Sequence, residues 1–146
     1  MIDVENLVFD KFYTAFHTLH ESANITAGYD EKHAVFPCVI VREVGNVPYQ
    51  NGNTDPCSEN YTRVTYEIEV ESDKKGTARS ECKNILNAVD GIMQGMKFRR
   101  IHKNRPLNVD RTVYRQYARY EAIVGKPVTY DAGTANERTV YQMYRR

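Results

Sequence analysis

The sequence lacks the segments that mark membrane and secreted proteins. No stretch approaches the run of about 18 apolar residues that a transmembrane helix needs. The opening, MIDVENLVFD, is acidic where a signal peptide is basic. Cysteine is scarce: there are three, an odd number, with no CxxC pair, which argues against a disulfide framework and a zinc site. We expect a protein made in the cytoplasm, with no membrane segment and with its cysteines as thiols.

Motifs for nucleotide and ester chemistry are also missing. The chain contains no GxxxxGK[ST], GxGxxG or GxSxG pattern, and these are the patterns that cradle phosphates or present a nucleophilic serine. His17 and His20 are three residues apart on a predicted helix, but no HExxH pattern accompanies them. We therefore expect no catalytic residue, no cofactor and no metal ion, and we predict that the protein is not an enzyme.

The charge is distributed unevenly along the chain. The 146 residues carry a net charge of +1, and this length is typical of one domain. Residues 1–73 contain 4 Lys/Arg and 13 Asp/Glu, whereas residues 74–146 contain 16 and 6. Such asymmetry favours separate acidic and basic surfaces that stack on copies of the chain or bridge unlike partners. If the two halves interleave in the fold, the charges mix instead.

Hydrophobic periodicity predicts one domain over residues 1–125. Apolar positions at helical spacing predict one helix over 3–20, with Asp3 as its N-cap, and a second from Thr77 to Met96. Strand patterns occur at 24–29, 36–44, 61–72, 96–104 and 112–124. The order α-β-β-β-α-β-β predicts an α+β fold of two layers, with both helices packed on one mostly antiparallel sheet.

Two segments do not fit a regular element. Residues 45–60 hold two Pro, two Gly and four Asn, which predicts a long loop. A loop of this length is typical of binding or assembly, or is a floppy excursion. Residues 126–146 are polar and end in an apolar patch followed by two arginines. They predict a C-terminal arm that adds an edge strand to its own sheet or to a neighbouring subunit's, or else a frayed tail.

Two charged strands are the candidate interaction sites. In YTRVTYEIEVES, Val64 and its alternate neighbours form one face, and Glu67, Glu69 and Glu71 form an acidic outer face. Three like charges on a strand are more typical of a solvated or protein-binding face than of a cation site. Residues 97–119 carry eight Lys/Arg against one Asp, interleaved with aromatics. That pattern also suits nucleic-acid phosphates and bases, although a pI of about 7.7 is low for a dedicated binder.

The succession of segments resembles a known family. A helix opening MIDVENLVFDKFYTAF, a strand FPCVIV, a long loop, a strand YEIEVES, a helix SECKNILNAVDGIMQGM, then FRRIH and TVYRQYARYEAIV follow one another. This order resembles the tail terminator, or tail completion, proteins of long-tailed bacteriophages and related prophage tails. The resemblance covers about residues 2–124 and lies in element order and texture, because the family has no invariant catalytic motif.

The resemblance implies a virion structural protein. Such a subunit forms a ring, expected to be a hexamer, on the head-proximal end of the tail tube, stops tube polymerisation and presents a joining surface to the head connector. Its partners would be its own copies, the tail tube protein and the head–tail connector protein, with at most transient contact with passing DNA. It would be assembled in the host cytoplasm.

The candidate interface residues follow from this implied ring. We expect Glu67, Glu69 and Glu71 of one copy to meet Arg99, Arg100 or Lys103 of the next, as opposite patches do in a head-to-tail ring. The loop would reach an adjoining ring through Tyr49 and Asn51, and the arm would join neighbours through Tyr141 and Tyr144. Two alternatives remain open: another head–tail connector or minor capsid component, and a small nucleic-acid-binding or enzymatic domain.

Overall fold

Two helices cover one face of a six-stranded sheet in the computed structural model of the chain. The structure describes residues 1–27, 36–49, 61–104, 113–125, 128–131, 137–140 and 143–144. The helices are α1 (Glu5–Leu19) and α2 (Ala78–Gly95). The strands are β1 (Asn24–Thr26), β2 (Cys38–Pro48), β3 (Tyr61–Ser72), β4 (Arg99–Asn104), β5 (Tyr114–Gly125), β6 (Val128–Asp131), β7 (Glu137–Val140) and β8 (Met143–Tyr144).

The sheet has the order β1-β2-β3-β5-β4, and β8 also pairs with β5. The pairs β2–β3, β3–β5 and β4–β5 are antiparallel, and the short β1 runs parallel to β2. Helices segregated to one face of a mostly antiparallel sheet make an α+β fold of two layers. The predicted fold class and the order α-β-β-β-α-β-β over the first 125 residues are therefore confirmed.

The core lies between the helices and the inner face of the sheet, and its members follow the predicted periodicities. Helix α1 buries Val8, Phe12 and Phe16. Helix α2 and the strands β3 and β5 contribute Cys82, Ile85, Leu86, Val89, Met93, Val64, Tyr66, Ile68, Val70, Ala118, Tyr120, Ala122 and Val124 to the cluster. The predicted apolar face of β3, which includes Val64, is thus confirmed as the inner face. We call the opposite side of the sheet the outer face.

Strand β2 extends four residues into the segment predicted as a loop. Its pairing with β3 continues to Pro48 opposite Thr62, with a bulge between Glu43 and Gly45. The Thr62 hydroxyl donates to the Asn46 side-chain oxygen at 2.9 Å and stabilises this end of the pair. A proline fits here because a border strand has one side without ladder partners. The prediction that the loop starts at residue 45 is wrong, and residues 50–60 lie outside the described residues.

The predicted cap of α1 is displaced by one residue. Val4 occupies the N-cap position, and the Asp3 carboxylate accepts a hydrogen bond from the Glu5 backbone N–H at 3.0 Å. Asp3 therefore still satisfies one of the free N–H groups of the first turn, from just outside the helix. Val4 is 1% exposed, so it anchors the start of the helix in the core.

The C-terminal segment contains three short strands. β6 and β7 pair antiparallel as a separate two-stranded sheet, and Met143 and Tyr144 of β8 pair with Val124 and Ile123 of β5. Of the alternatives for the arm, the backbone of β8 therefore adds to the sheet of its own chain. Both β4 and β8 pair with β5. The β4 pairing ends at Glu121 opposite Arg99, and β8 pairs with β5 beyond that point.

Candidate interaction surfaces

The outer face of β3 does not present exposed carboxylates. Glu67 and Glu69 are each 7% exposed, and Glu71 is 0% exposed. The prediction of an acidic, solvent-facing strand is wrong for these three residues. Alternation shows that they share one face, but it carries no information about which neighbours cover that face.

Arginines on the strands beside β3 compensate two of these carboxylates, Glu67 and Glu71, and Arg115 Nε lies 3.3 Å from Glu71 Oε1. Glu67 is held between Arg42 of β2, whose guanidinium forms a very short contact with it, and Arg119 of β5, whose Nε lies 3.3 Å away. Arg42 and Arg119 are the direct cross-strand neighbours of Glu67. Burial of a charge is costly unless it is paired, so this cross-strand triad explains how Glu67 is accommodated. Within one chain, Glu67 is thus paired with arginines other than the basic residues of β4 that were expected to meet it.

Glu69 lies between the two paired carboxylates. Burial raises the pKa of Glu69, and the neighbouring Glu71 and, more weakly, Glu67 raise it further, while Arg115 and Arg42 act in the opposite direction. Desolvation disfavours the charged form of a carboxyl group. The middle of the outer face is thus a place where an ionised carboxylate is destabilised, unlike a surface that attracts basic partners.

Strand β4 is the exposed basic edge of the sheet. All six of its residues are exposed, and it occupies the end of the strand order. Arg100 forms an ion pair with Asp90 of α2 at 3.1 Å, and Arg99 pairs with Glu121 of β5. The structure therefore brings Arg99, Arg100 and Lys103 together on one accessible strand. Their contact with carboxylates of another copy stays a prediction.

An arginine–aromatic contact lies at the outer face. The Arg63 guanidinium lies 5.2 Å from the centre of the Tyr49 ring, within the range of a cation–π contact. Tyr49 follows β2, and its N–H donates to the Tyr61 carbonyl at 2.8 Å. Asn51 and Tyr141 lie outside the described residues, and Tyr144 is described only through the backbone pairing of β8. The predicted roles of these four residues stay predictions.

The border of the sheet opposite β4 carries an acidic cluster that no sequence pattern indicated. Carboxylate oxygens of Asp3, Glu5 and Glu43 lie within 4.8 Å of one another where α1 begins beside β2. Burial raises the pKa of Glu43, the Asn46 side chain that donates to it lowers it, and Glu5 and Asp3 raise it. Forty residues separate Glu43 from Asp3, so no local pattern could indicate this cluster; only the contact of the N-terminus with β2 forms it.

A shallow groove of about 410 Å³ lies where α1 ends and α2 begins. His20 and Glu81 are among its lining residues. The His20 ring stacks on Phe16, and the Glu81 carboxylate accepts from the Ser72 hydroxyl at 2.8 Å and lies 3.8 Å from Lys74. His17 stacks on Tyr13. The two histidines thus stack on aromatic rings of their own helix, and Glu81 joins the start of α2 to the end of β3.

No helix among the described residues is long and apolar enough to cross a membrane. No protein-family model matches the chain, and no curated protein matches it.

Proposed function

We propose that the protein is a ring-forming structural subunit of a phage-type tail, a tail terminator that caps the tail tube and provides the joining surface to the head connector. The observation that carries the proposal is the exposure of the whole of β4 at the end of a two-layer α+β sheet. A subunit of a closed ring must offer a border to its neighbour, and in the described part of the chain β4 is an exposed border strand.

The chemistry of the surface agrees with an assembly role. Charge on an edge strand prevents indiscriminate pairing with other sheets, while it selects a partner of opposite charge. On β4, Lys103 adds to Arg99 and Arg100, whose intrachain ion pairs are themselves partly exposed. The partners in this proposal are copies of the chain, the tail tube protein and the head–tail connector, at the head-proximal end of the tail in the virion.

The test is a tube-elongation assay. Purified protein is added to tail tube subunits that are polymerising, and tube lengths are measured by negative-stain electron microscopy. The proposal expects elongation to stop, with a ring at one end of each tube. A matched aliquot unfolded by heat serves as the control. Tubes that grow to the same length with and without the folded protein overturn the terminator function.

A second candidate, nucleic-acid binding, is favoured by one observation. On the outer face of β5 and β4, Tyr117 has the Arg119 guanidinium 6.0 Å from its ring centre and the His102 ring 5.8 Å away. Arginine beside an accessible aromatic is the kind of surface that contacts phosphates and bases. Titration of duplex DNA at several salt concentrations separates the functions, because a dedicated binder loses affinity with a slope of about −0.9 per phosphate contact.

A further inference from the structure

The sheet has a second accessible border, on the side opposite β4. Within the described part of the chain, strand β1 pairs with Cys38–Ile40, the first three residues of β2. Among the described residues, Glu43–Pro48 of β2 pair with β3 and lie beyond the stretch that pairs with β1. We call Glu43–Pro48 the β2 edge and call Arg99–Asn104 the β4 edge. Each edge is six residues long, so one can lie along the other.

Both edges expose aliphatic side chains. Val44 and Val47 on the β2 edge are 45% and 60% exposed, and Ile101 on the β4 edge is 43% exposed. These three are half of the exposed large hydrophobic residues in the described part of the chain, which also include Met1, Tyr13 and Leu19. Exposed aliphatic groups on strand edges favour contact with another sheet. The two borders are therefore both suited to association.

The charges on the two edges are opposite and lie on the same side of the sheet. Arg100 and Lys103 pair across the ladder with Tyr120 and Ala118, which face the helices. Glu43 pairs with Tyr66, which also faces the helices, and it adjoins Asp3 and Glu5. Because cross-strand partners share a face, the basic and acidic groups both belong to the helical side.

The strand directions agree with continuation of the sheet from copy to copy. β3 is antiparallel to β2, β5 to β3, and β4 to β5, so β4 runs opposite to β2. When a second copy is placed beside the first in the same orientation, its β2 edge runs antiparallel to the β4 edge, and the helices of both copies lie on one side. Contact of β4 with β4 would instead bring like charges together, which is unfavourable.

We propose that copies of this chain associate head to tail through their sheet borders, with the β4 edge of one copy against the β2 edge of the next. Arg100 and Lys103 then face Glu43 and the start of α1 of the neighbour, and Ile101 packs near Val44 and Val47. The inference deepens the proposed ring function and rests on it. Each edge contains a bulge, at Glu43/Gly45 in β2 and at Arg100/His102 in β4. Because bulges discourage indiscriminate strand pairing, the charge of the side chains selects the partner.

Charge exchange between two variants tests the contact. Lys103→Glu places like charges across the proposed contact, and so does Glu43→Lys. Each variant alone should raise the protein concentration needed for assembly by about tenfold or more, since like-charge juxtaposition opposes association. A mixture of the two should assemble again, because alternating copies restore opposite charges at every contact. The readout is mass photometry together with static light scattering, alone and on tail tubes.

Matched controls separate this contact from a general effect of charge or folding. Lys83→Glu makes the same charge change at an exposed site on α2 and should leave assembly unchanged. Glu43→Gln keeps an acceptor for Asn46 and should weaken assembly less than Glu43→Lys while the far-UV circular dichroism stays that of the wild type. The doubly substituted chain, with Lys103→Glu and Glu43→Lys together, should assemble by itself.

The outcomes distinguish the contact from the function. Rings that form equally well with Lys103→Glu and Glu43→Lys overturn the edge-to-edge contact and leave the terminator function standing. Rings that respond as expected but do not stop tube elongation support the contact and overturn the terminator function. A wild-type chain that stays monomeric both in concentrated solution and on tail tubes overturns the contact.

Discussion

Arg115 Nε lies 3.3 Å from Oε1 of Glu71, and the two residues are direct partners across the β3–β5 ladder. Glu71 is 0% exposed, so its carboxylate is removed from water. Removal of one member of a buried ion pair leaves a charge that the protein solvates poorly. The Arg115 guanidinium therefore stabilises the buried Glu71 carboxylate on the outer face.

The first prediction concerns this pair. Arg115→Met should lower the free energy of unfolding by about 3 kcal/mol, in the range for loss of one partner of a buried pair. The measurement is urea unfolding followed by circular dichroism. The double variant Arg115→Met with Glu71→Gln should recover a large part of the loss, because no buried charge remains. A loss below about 0.5 kcal/mol, as for an ordinary surface site, would contradict this role.

The second prediction concerns pH and Glu69. Burial, and then the Glu71 carboxylate, raise the pKa of Glu69 in the folded state. The folded chain therefore binds this proton more tightly than the unfolded chain, and stability is lost as the pH rises from the unfolded pKa through the folded one. Glu69→Gln removes this loss, so the stability of the variant relative to wild type should be higher at pH 8 than at pH 4.

Urea unfolding of the wild type and of Glu69→Gln at several pH values checks the second prediction. Comparing the wild type with Glu69→Gln cancels the titration of the other groups to a first approximation. Glu121→Gln, at a more exposed carboxylate on the same face, is the matched control. A difference between wild type and Glu69→Gln that is independent of pH would contradict the raised pKa.

The third prediction concerns the end of α2. The Phe98 N–H donates to the Met93 carbonyl at 2.9 Å and the Lys97 N–H to Gln94 at 3.0 Å, which is the Schellman pattern with Lys97 in the left-handed position. Lys97 has φ of 71°, a conformation that costs a residue with a Cβ atom about 1–2 kcal/mol. Lys97→Gly should therefore raise the free energy of unfolding by about 0.5–1 kcal/mol, after the larger entropy of unfolded glycine is subtracted.

Thermal and urea unfolding check the third prediction, with Gly76→Ala as the reverse test. Gly76 has φ of +79° and open space where a Cβ would lie, so the substitution introduces backbone strain without a clash. It should destabilise the chain by about 1 kcal/mol. A Lys97→Gly variant less stable than wild type would show that the lysine side chain contributes more than its backbone strain costs.

The fourth prediction concerns Cys82, whose thiol lies 3.5 Å from the Tyr114 carbonyl and 3.7 Å from the Val70 carbonyl in the core. Burial raises the pKa of Cys82 to about 12, and the Glu81 and Glu71 carboxylates contribute. Because the thiolate is the reactive form, iodoacetamide at pH 8 should leave Cys82 unmodified in the folded protein and alkylate it in urea. Peptide mass spectrometry measures both; rapid modification of the native chain would contradict the burial.

The helices and the inner faces of the strands could be predicted because they depend on short-range periodicity. Phe12 and Phe16 recur at helical spacing, and Val64 and Ile68 alternate with polar residues, so one face of each segment is apolar before any tertiary contact forms. The end of β2 was mispredicted because Asn46 and Pro48 favour turns locally. Cross-strand pairing with β3 outweighs that local preference.

The candidate site was harder to predict. Alternation places Glu67, Glu69 and Glu71 on one face, but the choice between solvent and arginine neighbours depends on strands up to 52 residues away, as for Glu67 and Arg119. The basic residues Arg99, Arg100 and Lys103 were found as a run in the sequence, and only the strand order shows that they form an outer edge.

The sequence by itself determined the element types, the two-layer α+β class and the apolar face of each element, because these follow from the spacing of side chains along a helix or a strand. Only the tertiary structure decided which charges pair within the chain, that β2 continues to Pro48, and that the acidic group at Glu43 and the basic β4 edge lie on opposite borders of one sheet. The physical reason is that electrostatics and strand order depend on distances between residues remote in the chain, whereas periodicity is a local property.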